Sequence, residues 1–155
     1  MADVVANIAK GRIVELYNRV KGNDPSTSAF ILMALETTGL EADSVLMDKD
    51  DFAALVSGAT NEQTTVGRKT LTDADLAALP APDDANNRYD IDLPDVTWTA
   101  ATGNQISKIA LGYDANTGTG TDADILFLGA FDCGWIPDGT DFTMQFDAAG
   151  FFRAS

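Results

Sequence analysis

From Tyr89 to Ser155 the chain breaks into short apolar runs separated at close intervals by Asp, Asn, Gly and Pro. YDIDL, VTWTA, ISKIALGY, DILFLGAF and DFTMQF have the length and the β-branched or aromatic content of strands. LPD, ATGN, DANTGTGTDAD and IPDGTD have turn composition, because Gly, Asn and Asp adopt turn conformations readily and Pro cannot donate to a ladder. This grammar predicts a mainly β fold, an antiparallel β-sandwich or jelly-roll-like domain, with one or two short helices in the first half. Two of the runs alternate strictly. Tyr89, Ile91 and Leu93 are spaced by Asp90 and Asp92, and Phe142, Met144 and Phe146 by Thr143 and Gln145, as in strands with one wet face.

The first half is less regular. RIVELYNRV, residues 12–20, alternates two faces, of which Val14, Leu16, Asn18 and Val20 form the more apolar, so a strand is expected. A helix competes, and Gly11 weakens its longer version. Residues 1–21 read as an extended arm or edge strand. AFILMALETT, 29–38, is apolar on both faces and suits a central strand covered on both sides. A short helix is expected around Phe52, Leu55 and Val56, with Asp48 at its N-cap, Asp51 three residues on and Gly58 as its stop. A second is expected after Thr72, with Asp75 completing a capping box and Pro80 ending it. The Pro, Asp and Asn of 80–88 form an internal loop within one β-rich domain spanning 1–155.

Composition limits the chemistry. The 155 residues are 45% hydrophobic, enough for a core. No apolar run approaches the roughly 18 residues a spanning helix needs, so no membrane partner is expected. The N-terminus lacks a basic segment followed by an apolar one and reads as a cytosolic start. A formal net charge of −14 argues against a nucleic-acid partner, which requires a basic face. The charge is uneven. In residues 1–21 four cations (Lys10, Arg12, Arg19, Lys21) outnumber Asp3 and Glu15, whereas from Ile109 onward only Arg153 opposes a series of aspartates.

The chain has no histidine and one cysteine, Cys133. Imidazole acid–base catalysis, Ser-His-Asp and Cys-His pairs, and zinc sites of Cys and His are therefore excluded within one chain. No catalytic residue and no cofactor are expected. Cys133, between aromatics in FDCGW, reads as a small buried hydrophobe. The loop bearing Asp114, Asn116, Asp122 and Asp124 spaces oxygens like the start of a calcium loop, but the EF-hand pattern fails at Thr119 and Ile125. The expected reading is therefore a flexible hairpin loop, in which Asp, Asn and Gly supply the turns, and no bound metal. Trp98 and Trp135 suit a core, with a glycan-stacking platform as the competing role. Phe151 and Phe152 near the terminus call for burial or an interface. With Arg12, Arg19 and Arg153 they are the candidate interface residues.

The order of these segments resembles a class of small virion proteins of tailed bacteriophages. DLPDVTWTAA precedes GNQISKIALGYD, and ADILFLGAFDCGWIPDGTDFTMQFDAAGFF follows, while KGRIVELYNRV and TLTDADLAALPAPDDANNRYD fit the same group. The resemblance implies a head decoration or minor capsid protein. It would be made in the bacterial host cytoplasm and assembled on the virion's capsid surface, with the major capsid protein and its own copies as partners. A tail, baseplate or head-fibre component is the alternative within virions. A glycan or host-surface binding module, resting on the tryptophans and the Asp-rich loop, is the alternative outside that class.

Overall fold

The structure is a computed structural model that describes residues 2–147 and 150–154. It is mainly β. A five-stranded antiparallel sheet contains Val4–Val5 (β1), Ile125–Trp135 (β7), Ile106–Asp114 (β6), Ala29–Glu36 (β2) and Lys69–Leu71 (β3), in that spatial order. Two further antiparallel pairs accompany it: Tyr89–Ile91 (β4) with Phe152–Ala154 (β9), and Val96–Trp98 (β5) with Phe142–Met144 (β8). The described strands do not close into a barrel.

β2 is buried from Ala29 to Leu35, which requires cover on both faces. The register supplies the reason. Phe30 lies opposite Tyr113 on β6, and Gly112 lies opposite Phe127 on β7. Successive residues point to opposite faces, so Tyr113 and Gly112 mark the two sides. On the Phe30 side lies the helix Ile13–Lys21 (α1), whose Tyr17 ring stacks on Phe30 at 6.2 Å and meets Tyr89 edge-on at 6.0 Å. On the Gly112 side lies Phe52, from the short helix Phe52–Leu55 (α3), against Phe127 at 6.5 Å. A Cβ at position 112 would lie 2.6 Å from the Phe52 ring, so glycine is what lets α3 sit down on the sheet. A bulge near Leu111/Gly112 shifts the β6–β7 register there.

The helix α1 corrects the expectation of a strand over 12–20. Ile13, Leu16, Tyr17 and Val20 are buried, a spacing of three and four that winds one stripe around a helix. Strict alternation would have put Tyr17 on the wetter face, yet it is wholly buried. Gly11, with φ +83°, lies just before the helix and separates it from the 3-10 turn Asn7–Ala9. Residues 2–21 thus hold an edge strand followed by a 3-10 turn and a helix.

The other helices are single turns: Asp43–Leu46 (α2), α3, and Asp73–Leu76 (α4). With α1 that makes four described α-helices, all in the first half, where one or two short helices were expected; a 3-10 turn at Asp122–Asp124 lies in the second. Asp51, not Asp48, caps α3, accepting the Ala54 N–H at 2.6 Å. Asp48 instead accepts from the Asn7 side chain. Gly58 does not stop α3, which ends at Leu55; it lies against the Glu41 carboxylate. The Thr72/Asp75 capping box of α4 is present as the sequence predicts. Residues 83–88 form a turn closed by the Asp83–Arg88 bridge.

Candidate interaction surface

The outer edge of β7 is covered piecemeal by segments distant in sequence. Phe127 N–H donates to Asp50 O at 2.9 Å, Ala6 N–H to Leu128 O at 3.0 Å, and Asp132 N–H to the Asp3 carboxylate at 2.8 Å, with β1 paired at Gly129 and Ala130 between them. Gly129 makes β1 possible, because a Cβ there would lie 2.4 Å from the Val4 carbonyl oxygen. The N-terminal arm is held further by Lys108. This lysine is fully buried, pairs with Asp132 across β6–β7, lies 3.2 Å from Asp43 of α2, and donates to the Ala2 carbonyl at 2.7 Å. Burial pushes the Asp43 carboxyl up, but its hydrogen bonds to Lys108 and to Ala2 N–H outweigh that and hold it below the usual range.

The C-terminal tail returns to the α1 face. Phe131 takes Phe146 at 5.3 Å and Phe151 at 5.7 Å, both edge-on. β9 pairs with β4 so that Ile91 meets Phe152 and Asp90 meets Arg153. Gly150 enables this return. Its φ is +80°, and a Cβ would approach the Ile91 carbonyl oxygen to 2.5 Å. Of the segment AAGFFRAS, Ala148, Ala149 and Ser155 lie outside the described residues.

Arm and tail border one cavity of about 470 Å³, walled by Val5, Ile13, Leu111, Phe131, Met144 and Phe146, with Phe151 and Phe152 toward the tail. Asp3, Asp132 and Asp147 also line it, and no lysine or arginine does so among the described residues. Val5 is 44% exposed and Phe152 36%.

The candidate interface residues divide. Phe151 is turned inward onto Phe131, while Phe152 stays exposed. Arg153 donates to Asp90 at 2.5 Å, and Arg88 approaches the same carboxylate at 3.2 Å. Arg12 is exposed at the N-cap of α1, and Arg19 pairs with Glu15 one turn back at 3.1 Å. Neither Arg12 nor Arg19 lines the cavity, although Ile13 of the same helix does.

The four candidate calcium ligands are drawn to separate tasks. Asp114 accepts from Asn116 N–H, Asn116 from Thr27 and Gly118, and Asp124 caps a 3-10 turn through Thr121. Asp122 pairs with Arg68 at 2.6 Å, and Arg68 also grips Glu62 at 2.6 Å while lying 5.6 Å from the Phe52 ring. The Arg68 hydrogen bond holds the Asp122 carboxyl below its usual range against the opposing effect of burial. Among the described residues no group of three or more His, Cys, Asp or Glu side chains could hold a metal ion.

Trp98 and Trp135 are both buried and 6.1 Å apart, and Phe142 stacks on Trp135 at 4.2 Å and 13°. They pin the β5–β8 pair to the end of β7. Cys133 is half-buried against the core, and burial pushes its thiol up to about 11. Asp92, expected on a wet face, is buried. That burial, and then Asp95 and Asp147, raise its carboxyl, while the Leu93 N–H it accepts works the other way.

No family model matches the chain, and neither does any curated protein or solved structure. No described helix is long and apolar enough to cross a membrane.

Proposed function

We propose that the protein is a structural component of a tailed-phage virion, a head decoration or minor capsid protein that acts through contacts. The observation that carries this reading is the meeting of the two chain ends. The β1 arm and the β9 tail border one largely apolar groove, and Val5 and Phe152, which line it, are exposed. An apolar edge of this kind suits a protein whose work is to join neighbours. The resemblance of the strand-and-turn order to small virion proteins supports the same reading. The absence of histidine from the sequence removes the commonest acid–base groups from the competing enzymatic readings.

In the same reading the architecture is a sandwich or jelly-roll variant, with the β4–β9 and β5–β8 pairs as parts of a second layer. Its supports are the aromatic contacts that each pair makes: Tyr89 on Tyr17 for the first, Trp98 and Phe142 on Trp135 for the second. Its partners are the major capsid protein and its own copies. Electron microscopy of capsids from the phage encoding this chain, with and without the purified protein, tests the proposal. Added density at repeating capsid positions is the expected result; density at the tail or baseplate alone, or none, contradicts it.

A further inference from the structure

Val5 turns its backbone polar groups away from the sheet. Ala6 sends its N–H to Leu128 on β7, and neighbouring residues of an antiparallel strand alternate in the direction of these groups. The Val5 N–H and C=O therefore face outward, and among the described residues nothing pairs with them. Folded proteins commonly protect such an edge with charge, proline or a covering loop. Here the edge instead carries a half-exposed valine beside an apolar cavity.

The sign of the rim narrows the occupant. Asp3, Asp132 and Asp147 line the cavity with no lysine or arginine among the described residues, and Lys108, close by, is buried and already engaged with Asp132 and Asp43. A fatty-acid anion would bring its carboxylate to carboxylates. A second copy fits poorly for the same reason. Its exposed Ile136 lies near Asp138 and Asp141, and its exposed Val45 lies between Asp43 and Asp48. Charge complementarity favours a basic partner.

We propose that the outer edge of β1 and the adjoining groove dock an extended segment of another protein, one that alternates apolar and basic side chains. The segment adds a strand outside Val5, exchanging backbone hydrogen bonds with it. Its apolar side chains enter the groove along Phe131 and Phe146, and its basic side chains face the aspartate rim. Such docking does not depend on where in a virion the protein sits.

Synthetic hexapeptides test it with the full-length protein, read by fluorescence anisotropy. A peptide alternating valine and lysine should bind. One alternating valine and glutamate, one with the same valines and lysines in two blocks, and one N-methylated along a single backbone edge should each bind about tenfold more weakly or worse. Val5→Lys should weaken the valine–lysine peptide by a similar factor with the melting temperature unchanged, and Phe152→Gln provides a second variant if Val5→Lys unfolds. No binding of the valine–lysine peptide at millimolar concentration overturns the proposal. Equal binding of any control peptide, or full affinity in the folded variants, overturns it too.

Discussion

Lys108 and Asp132 face each other across β6 and β7, and the lysine has no exposed surface. Their pairing ties the centre of the sheet to α2 through Asp43 and to the N-terminal arm through the Ala2 carbonyl. Lys108→Ala should cost about 3 kcal/mol, the lower end for breaking a buried pair, because both aspartates keep some water. Pairing Lys108→Met with Asp132→Leu should recover most of the loss, since apolar side chains of similar volume replace ion pairs well. Urea unfolding measures both. Amide exchange of residues 3–6 should accelerate in Lys108→Ala.

Arg68 joins the 62–68 segment to the Asp-rich loop, gripping Glu62 and Asp122 with paired hydrogen bonds. Arg68→Met should destabilise by about 2 kcal/mol, as expected for charge-assisted bonds at a partly buried site. Arg68→Lys should recover less than half, because a single ammonium cannot fork to two carboxylates. Thermal melts of the three proteins check this.

Gly150→Ala should release the tail. The residue combines a left-handed φ with a backbone contact that a methyl group would invade, at a conformational cost of about 1–2 kcal/mol before the clash. Amide exchange at Phe152–Ala154 and at β4 should speed up, with β2 and β6 still protected. Uniform loss of protection across the sheet would contradict the local role assigned to this glycine.

The acid response should contain two opposed parts. Asp122 and Asp43 have lowered carboxyls, so their contribution is present above the ordinary carboxylate value, about 4, and is lost as pH falls through their lower folded values. Asp92 has a raised carboxyl. Its charged form is disfavoured in the fold, so it weakens the protein at neutral pH, and that penalty disappears as pH falls through its raised value. Asp92→Asn should therefore raise the melting temperature at pH 7, and the gain should shrink on acidification. A gain that grows as pH falls would contradict the assignment.

Cys133 should resist alkylation. With the thiol pushed up to about 11 and half-buried, little thiolate exists at pH 8. Iodoacetamide should label the native protein slowly and the urea-unfolded protein at the rate of a free thiol, as mass spectrometry would show.

Five of the six described strands of the second half were legible because each carries its own punctuation, whereas β9 forms only by pairing with β4 and has no alternation of its own. Pro137, Asp138 and Gly139 in the turn IPDGTD, and the alternation of Phe142, Met144 and Phe146 after it, are local signals, and so is the Thr72/Asp75 cap. The helix α1 was not legible in the same way. Nine residues with apolar side chains at 13, 14, 16, 17 and 20 satisfy a two-residue and a 3.6-residue period almost equally, and only the Tyr17 contacts with Phe30 and Tyr89 decide between them. Lys108 and Asp92 escaped for a related reason. Nothing near Lys108 in sequence announces Asp43 or Asp132 as its partners, and Asp92 owes part of its raised carboxyl to Asp147, from the far end of the chain. Of the candidate surface, the terminal phenylalanines were visible in the sequence. The groove they share with Val5 was not, because it exists only once both chain ends reach β7.

The most direct test of the virion reading is the copy number of this chain in purified phage particles, measured by quantitative mass spectrometry against the major capsid protein. The account predicts a fixed ratio to the capsid protein, amounting to many copies spread over each head. Absence from the particles, or a handful of copies that remain with isolated tails, would contradict it.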